Sequence, residues 1–302
     1  MTRYGTLAAT AAATAMLAGC GGGGGVGSDN TETANDRTLT QVLVDDGETV
    51  AATHVAADRF DFTNGYGSRD ATVTPEKWTE FSLAWDDATS LPTVTLDGLT
   101  HKFTDAEEYR AWEWRSQKDH GMAFECWTCP NGTNLLVVSA ARKIEPFTDQ
   151  SKSGVAIIGL PTATFDNAPV RATYTNISGP QTDLGAYVNF RAPDNVKHES
   201  YFGNIALVAD FTNQTLSGRL FGFDDADGRT WKAFQLVIPE TSFTNDGFSG
   251  RFDVSGLETA SLAYEGSFYG PDAGEVGGVI SGTAVGQDGI RYVTTGMFAG
   301  TQ

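Results

Sequence analysis

Apolar and polar residues alternate in short runs along the second half of the chain, as they do in β-strands that bury one face. In GNIALVADF the apolar side chains of Ile205, Leu207, Ala209 and Phe211 recur at every second position. We predict strands near 169–177, 184–191, 203–211, 215–222, 231–238, 247–254, 260–269, 276–284 and 291–298. This series predicts an antiparallel sandwich or up-and-down barrel over residues 155–302, and the many glycines within strands favour a small closed barrel of eight or nine strands.

The first half is patterned less regularly and is predicted to form a separate, small α+β domain over residues 39–150. Asp97 and Gly98 form the turn of a predicted hairpin, since this dipeptide suits two-residue β-turns. Thr104 and Glu107 have the spacing of a capping box and predict one helix. Strands are predicted at 38–46, 78–85, 92–98, 99–103 and 133–143.

The amino terminus has the features of an export signal. Arg3 precedes a short apolar run at 7–17, which is too short to remain in a bilayer as a spanning helix. The run ends in Leu-Ala-Gly-Cys, which resembles a bacterial lipobox, so we expect residues 1–19 to be removed and Cys20 to receive lipid. The alternative is an ordinary secretory signal with a chance cysteine.

Residues 20–38 follow as a predicted flexible tether, because glycine, serine, asparagine, aspartate and threonine dominate them and little apolar surface is available for burial. The 302-residue chain is strongly acidic, with 38 Asp and Glu against 20 Lys and Arg, and its formal net charge is −18. Nucleic acid and anionic membrane surfaces need a basic face, so this charge argues against both as partners.

Cys126 and Cys129 form a Cys-x-x-Cys motif with several possible chemistries. A thioredoxin-like site needs a βαβ context that is missing here, and attachment of c-type haem needs histidine where Pro130 stands. Structural zinc needs two further ligands, and only His120 lies near. A local disulfide is favoured, because the chain is predicted to be exported.

Other residues give little sign of catalysis, metal binding or a cofactor. The four histidines, His54, His101, His120 and His198, share no metal-ligand spacing, and no nucleophile elbow or phosphate loop is present. The acidic segment FDDADGRTW predicts a hairpin turn rather than a calcium loop, since phenylalanines occupy the first and last ligand positions. We therefore expect no cofactor, no metal and no enzymatic activity.

Aromatic residues are concentrated in the first half and have two interpretations. Tyr109, Trp112, Trp114 and Trp127 are candidates for a binding surface, because aromatic side chains dominate binding hot spots. The alternative is that they form the core of the first domain.

Several segments of the second half resemble the surface lipoproteins of the transferrin-binding protein B family. GLPTATFDNAPVRATYTN is similar to the family's entry to its barrel, ALVADFTNQTLSGRLFG to one of its hairpins and GMFAGTQ to its closing strand. YEGSFYGPDAGEVGGVISG resembles its most distinctive signature. The signature residues are Gly266, Phe268, Tyr269, Gly270, Pro271, Gly277 and Gly278.

The resemblance implies a single lobe, with a handle-like domain at 39–150 and a β-barrel at 155–302. It implies a binding protein on the outer membrane, anchored through Cys20 and exposed at the cell surface. Candidate partners are a protein ligand, an iron or haem carrier and a TonB-dependent transporter. Two other functions are compatible with a β-barrel lipoprotein: a lipocalin-like carrier of a small ligand, and a structural or adhesive envelope protein.

Overall fold

The computed structural model describes residues 37–63, 71–86, 88–111, 113–116, 121–129, 134–144, 149–178, 183–195, 197–223, 233–257 and 259–302. The predicted signal, Cys20 and nearly all of the tether lie outside these residues, as do Trp112, His120 and most of the acidic segment at 223–231. No helix in the described part is long and apolar enough to cross a membrane.

Ten strands from the first half form one antiparallel sheet. They are β1 (Val50–Phe62), β2 (Ala71–Glu76), β3 (Phe81–Asp86), β4 (Leu91–Leu96), β5 (Leu99–Lys102), β6 (Glu108–Arg110), β7 (Glu113–Arg115), β8 (Ala123–Cys126), β9 (Leu135–Lys143) and β10 (Gln150–Gly159). Their order is β5-β4-β3-β1-β10-β9-β8-β7-β6, and β2 pairs with β1 beside β3. The predicted hairpin is present, since Asp97 and Gly98 both have positive φ between β4 and β5.

The central strands of this sheet are apolar on both faces because both faces are covered. In β9, Leu136 and Val138 pack in a core with Trp114. Leu135 and Val137 point to the opposite face and pack against the second sheet. Successive side chains of a strand point to opposite faces, so an unbroken apolar run marks a strand that is buried on both sides.

Two predicted elements of the first half are wrong. Residues 38–46, predicted as a strand, contain a short π-helix at Gln41–Asp45, and Thr38 and Gln41 exchange hydrogen bonds of the capping-box type at 2.6 and 3.3 Å. The predicted helix at Thr104 ends after a 3-10 turn at Asp105–Glu107, although its capping box is present. The chain then enters β6 and β7, whose aromatic residues favour strands.

The second half forms an eleven-stranded antiparallel sheet. Its strands are β11 (Arg171–Ser178), β12 (Asp183–Leu184), β13 (Ala186–Arg191), β14 (His198–Asp210), β15 (Thr215–Phe223), β16 (Phe234–Ser242), β17 (Phe248–Arg251), β18 (Asp253–Ser255), β19 (Thr259–Tyr269), β20 (Glu275–Val285) and β21 (Arg291–Thr301). β17 pairs with β19 and β18 pairs with β16, and only Phe252 separates β17 from β18. These pairings close the sheet into a barrel.

Two of the predicted strands share one position in this barrel. β11 and β13 both lie between β14 and β21, one after the other along the same row. Between them the chain leaves the row in a small hairpin, in which Ile177 pairs with Leu184. Described in this way, the barrel has eight strand positions, within the predicted eight or nine.

Side chains fill the inside of the barrel. Aromatic rings stack there, for example those of Phe223 and Phe234, whose centroids are 4.6 Å apart. Tyr174, Phe190 and Phe298 are fully buried in the same core. Eight-stranded barrels have just enough interior space for such packing.

The division between the two sheets falls after Gly159 rather than at residue 155. β10 pairs with β1 and β9 and therefore belongs to the first sheet. The outer face of the barrel packs on the first sheet through an apolar cluster that includes Val137, Ile157, Val279 and Met297. This contact between sheets is the setting of the signature segment and of the candidate site.

Candidate functional site at the seam between the sheets

The signature segment joins the barrel to the first sheet. Tyr269 is fully buried in the apolar cluster between the sheets, and its hydroxyl lies 2.6 Å from Oγ1 of Thr53 on β1. A Cβ at Gly159 would come within 2.5 Å of the Tyr269 ring, so the absence of a side chain there makes room for the ring. Tyr269 of the signature is therefore an internal packing residue and not an exposed ligand contact.

Polar groups around the signature also cross to the first half of the chain. His54 Nε2 lies 2.9 Å from Ser267 Oγ, and the Lys77 ammonium lies 2.6 Å from the Glu265 carboxylate. Glu275 accepts a hydrogen bond of 2.8 Å from the backbone N–H of Asn134, and burial raises the pKa of this carboxyl to about 7. These contacts fix the position of the barrel on the first sheet.

The end of β19 turns sharply at Gly270, whose φ of +84° is unfavourable for residues with a side chain. Thr162 Oγ1 donates a hydrogen bond of 2.7 Å to the Gly270 carbonyl oxygen, and the Gly270 N–H donates to the Leu160 carbonyl oxygen at 3.1 Å. The turn that contains Pro271 is thereby held against the connection between the two sheets.

A buried polar group lies deeper in the contact between the sheets. Asp58 on β1 is 2% exposed and accepts a hydrogen bond of 3.2 Å from Thr295 Oγ1 on β21. Its Oδ1 atom has no hydrogen-bond partner among the described residues. Burial raises the pKa of Asp58 to about 7, although the nearby Arg191 guanidinium opposes this effect. Ionisation of Asp58 is thus costly in the folded state.

The stability of the folded chain is therefore expected to depend on Asp58 and pH. A carboxyl whose folded-state pKa is raised stabilises the fold below its unfolded pKa, and this stabilisation is lost as pH rises toward 7. Between pH 5.5 and 8 the loss due to Asp58 should be about 2 kcal/mol. Urea unfolding at both pH values measures the total loss, and Asp58→Asn should reduce it by about 2 kcal/mol, while the part due to Glu275, whose pKa is also raised to about 7, remains. Asp61→Asn, on the more exposed end of β1, is the control, and an equal effect there would contradict the assignment.

The Cys-x-x-Cys motif places an aromatic side chain at the edge of the seam. Cys126 and Cys129 are joined by a disulfide, with their Cα atoms 5.5 Å apart. Inside this small loop, Thr128 Oγ1 accepts a hydrogen bond of 2.9 Å from the backbone N–H of Val137. The loop is therefore fixed to β9, and Trp127 projects from it toward the barrel.

Trp127 belongs to an aromatic cluster with two residues of the barrel. Its ring centroid is 4.8 Å from that of Tyr187 and 6.0 Å from that of Phe202, and the Tyr187 and Phe202 centroids are 5.2 Å apart. Phe202 is 57% exposed, which is unusual for a large apolar side chain in a chain with two well-filled cores. We call Trp127, Tyr187 and Phe202 the seam cluster.

The structure corrects the prediction of a single surface formed by Tyr109, Trp112, Trp114 and Trp127. Trp114 is 2% exposed in the core of the first sheet, where its ring packs on Trp85 and Phe124. Tyr109 is 58% exposed beside Arg115 and is not part of the seam cluster. Trp112 lies outside the described residues. The core interpretation is correct for Trp114, and of the three described residues of this set only Trp127 lies in the seam cluster.

A concavity of about 400 Å³ lies on the first sheet. It is on the same face of the sheet as the barrel, beyond the area that the barrel covers. Small side chains form its floor: Ala123, Ser139, Ala141 and Ser153. Charged residues line its sides: Glu113, Arg115, Glu125 and Lys143. Ser153 pairs across the strands with Asp58, so the floor runs toward the buried polar group of the seam.

The sequence contains only weak signals for the residues that the structure adds to this site. Phe202 and Tyr187 lie in strands that alternate normally, and the sequence does not show which of the two barrel faces is covered. Side chains alternate between the two faces of β8, so Glu125 lies on the face opposite the buried Phe124. Among the described residues, no cluster of three or more His, Cys, Asp or Glu could hold a metal ion.

Comparisons with known proteins identify the type of barrel. The family described as "C-lobe and N-lobe beta barrels of Tf-binding protein B" matches residues 162–302, which confirms the resemblance predicted from the signature segments. Residues 162–302 are thus a transferrin-binding protein B-like barrel. A search of curated proteins found no match to the chain.

Solved structures similar to the chain include two transferrin-binding proteins B. A double mutant of the vaccine antigen from Haemophilus parasuis Hp5 is 17% identical, with a TM-score of 0.49, and the match covers 82% of this chain and 45% of that one. The isotype 1 protein from serogroup B Neisseria meningitidis is 15% identical, with a TM-score of 0.46, and the match covers 82% of this chain and 44% of that one. The chain therefore matches less than half the length of either protein.

Proposed function

We propose that this chain, whose residues 162–302 form a transferrin-binding protein B-like barrel, is a lipid-anchored binding protein displayed on the outer membrane. The family match is the observation that carries this proposal, since the matched family consists of barrels from a binding protein. The lipobox-like LAGC and the Gly-rich segment after Cys20 support the anchor and a tether.

The structure favours binding of a partner at the outer surface over carriage of a small ligand inside the barrel. A lipocalin-like carrier needs an internal cavity, whereas aromatic side chains such as Phe190, Phe223 and Phe234 fill the centre of this barrel. The exposed Phe202 and the concavity beside Glu125 instead lie on the outside of the two sheets. Binding of a protein partner at the outer surface is therefore the better-supported function.

The partner that we propose is a protein iron or haem carrier, with a TonB-dependent transporter as a second component. The similar solved structures are proteins named for transferrin binding, and this is the support for an iron-related role. A structural or adhesive envelope protein is the competing function. A deletion strain distinguishes these two functions. A growth defect under iron starvation with a normal envelope supports a role in iron acquisition. A defective envelope with normal growth under iron starvation supports a structural role.

Labelling, protease digestion and pulldown in cells test the proposal. Wild-type protein should incorporate radioactive palmitate, and Cys20→Ala should abolish the label, because the thiol of Cys20 is the proposed attachment site. Protease added to intact cells should degrade the wild-type protein but not a periplasmic marker. A pulldown under iron limitation should recover an iron carrier or a TonB-dependent transporter. Unchanged labelling of Cys20→Ala would overturn the anchor, full protection would overturn surface display, and recovery of neither partner would overturn the iron role.

A further inference from the structure

The concavity on the first sheet contains an unusual arrangement of carboxylates. Glu113 and Glu125 are direct cross-strand partners on β7 and β8 and therefore lie side by side on one face of the sheet. Like charges in this position destabilise a sheet unless a cation lies between or beside them. Both residues line the concavity, together with Arg115 and Lys143.

Among the described residues, Glu113 forms an ion pair and Glu125 forms none. Arg115 donates a hydrogen bond of 2.7 Å from Nε to the Glu113 carboxylate, and the guanidinium also lies over the Tyr109 ring at 4.1 Å. Glu125 has only a 3.5 Å hydrogen bond from Ser139 Oγ and no ion pair among the described residues. Glu125 is partly buried, so solvent compensates for its charge incompletely.

Glu125 also lies next to the seam cluster. Glu125 precedes Trp127 by two residues, and its cross-strand partner Ser139 follows Val137 by two residues, so Glu125 lies on the same face of the sheet as Trp127 and Val137. Trp127 contacts Tyr187 and the exposed Phe202, which are cross-strand partners on the barrel. Aromatic faces beside a carboxylate attract cationic side chains, and guanidinium groups in particular stack on them.

We propose that the concavity and the seam cluster together bind a basic segment of a partner protein, with an arginine or lysine side chain at Glu125 and apolar residues on Phe202. The volume of about 400 Å³ is at the lower end of the range for binding pockets, which suits individual side chains of a polypeptide. The net charge of −18 adds a long-range attraction for a basic partner. This inference rests on the proposed function as a binding protein and names the chemistry of the partner.

Fluorescence anisotropy with a defined peptide tests this inference. The probe is a fluorescein-labelled nonapeptide of alternating arginine and leucine, titrated with the purified mature chain at 150 mM NaCl. Glu125→Gln should weaken binding about tenfold, because it removes the unpaired carboxylate. Glu240→Gln is the matched control, since it removes the same charge from an exposed position on β16. It should change the dissociation constant less than twofold.

A second pair of variants tests the apolar part of the site. Phe202→Ser should weaken binding at least fivefold, whereas Val170→Ser, which changes another side chain that is 72% exposed, should have no effect. Both residues are exposed, so neither change should disturb the fold, and unchanged melting temperatures will verify this. A peptide with glutamate in place of arginine should not bind to any variant.

Other results would overturn the inference. Equal weakening by Glu125→Gln and Glu240→Gln would show that net charge alone attracts the peptide, and absence of binding would show that no such site exists. Binding of spermidine that depends on Glu125, without binding of the peptide, would show that the ligand is a small cation. The assay uses purified protein, so it does not depend on lipid attachment or surface display. If the peptide binds as expected but protease added to intact cells does not degrade the protein, only the proposed location is overturned.

Discussion

Replacing Tyr269 by alanine should destabilise the folded chain by about 3–5 kcal/mol, which is the usual cost of deleting a large buried aromatic side chain. The Tyr269 ring is fully buried between the barrel and the first sheet and fills the space left by Gly159. The change removes this packing and also the hydrogen bond to Thr53. Urea unfolding of the purified chain, followed by tryptophan fluorescence, measures the effect.

Two further variants show whether the loss comes from packing at this position. Tyr269→Phe should cost only about 1 kcal/mol, because it removes the hydroxyl and retains the ring, while Thr53 Oγ1 keeps its hydrogen bond to the Ile157 carbonyl oxygen. Tyr109→Ala makes the same chemical change at an exposed residue of the first half and should cost no more than about 1 kcal/mol. Equal losses for Tyr269→Ala and Tyr109→Ala would contradict the role of Tyr269 in joining the sheets.

Gly278→Ala is expected to cost about 3 kcal/mol, at the upper end of the usual range for overpacking. A Cβ at Gly278 would lie 2.4 Å from the carbonyl oxygen of Glu265 and 2.5 Å from Cζ of Phe298. The first contact is with the backbone of the neighbouring strand and the second is with a ring inside the barrel, so neither can move without distorting the barrel wall. The melting temperature and urea midpoint should both fall.

Gly274→Ala is the matched control, because it makes the same change just before β20. Its Cβ would approach only a side-chain oxygen of Asp272, at 3.0 Å, and this flexible group can rotate away. We expect a change within about 0.5 kcal/mol. If Gly278→Ala lowers the free energy of unfolding as little as Gly274→Ala does, the barrel wall can adjust to an added Cβ more easily than its packing indicates.

The paired glycines of the signature have distinct structural roles that follow from the alternation of β20. Gly278 faces the inside of the barrel, against Phe298. Gly277 faces outward, where its Cβ would lie 3.2 Å from Leu135 and 3.3 Å from Ile157 of the first sheet. One glycine thus permits close packing within the barrel, and the other permits close approach of the two sheets.

The barrel could be predicted well from the sequence because its strands alternate regularly and turn residues separate them. The prediction could not show that 169–177 and 184–191 occupy one strand position, since both segments have the pattern of a complete strand. Whether two segments lie side by side or end to end depends on hydrogen bonds to β14 and β21, which are distant in sequence. The local pattern contains no information on this choice.

The first half was predicted less well for identifiable reasons. β1 and β10 were missed, since alanine, serine, glycine and charged residues interrupt their apolar positions. The predicted capping box of Thr104 is present, but the strands that follow override the predicted helix, since β6 pairs with β7 and β7 pairs with β8. Tertiary pairing often overrides local helix signals in this way.

The candidate site was predicted only in part. Trp127 and Trp114 are both candidates for a binding surface, but Trp114 lies in the core, whereas Trp127 contacts Tyr187 and Phe202. The sequence could not distinguish them, because the face on which each ring lies depends on which strands cover the sheet. Glu125 and Phe202 come from different halves of the chain, and only the packing of the two sheets brings Trp127, two residues after Glu125, against Phe202.

The closure of the barrel also determines the order in which the protein can fold. Thr175 on β11 pairs with Thr301 on β21, so the first barrel strand remains without one neighbour until the last strand has been made. Contacts over such long stretches of chain slow folding, since the entropy of closing the loop is lost before the pairing forms. The barrel therefore cannot close until the chain through residue 301 is available for pairing. During that time the open edges of β11 and β20 need protection from aggregation.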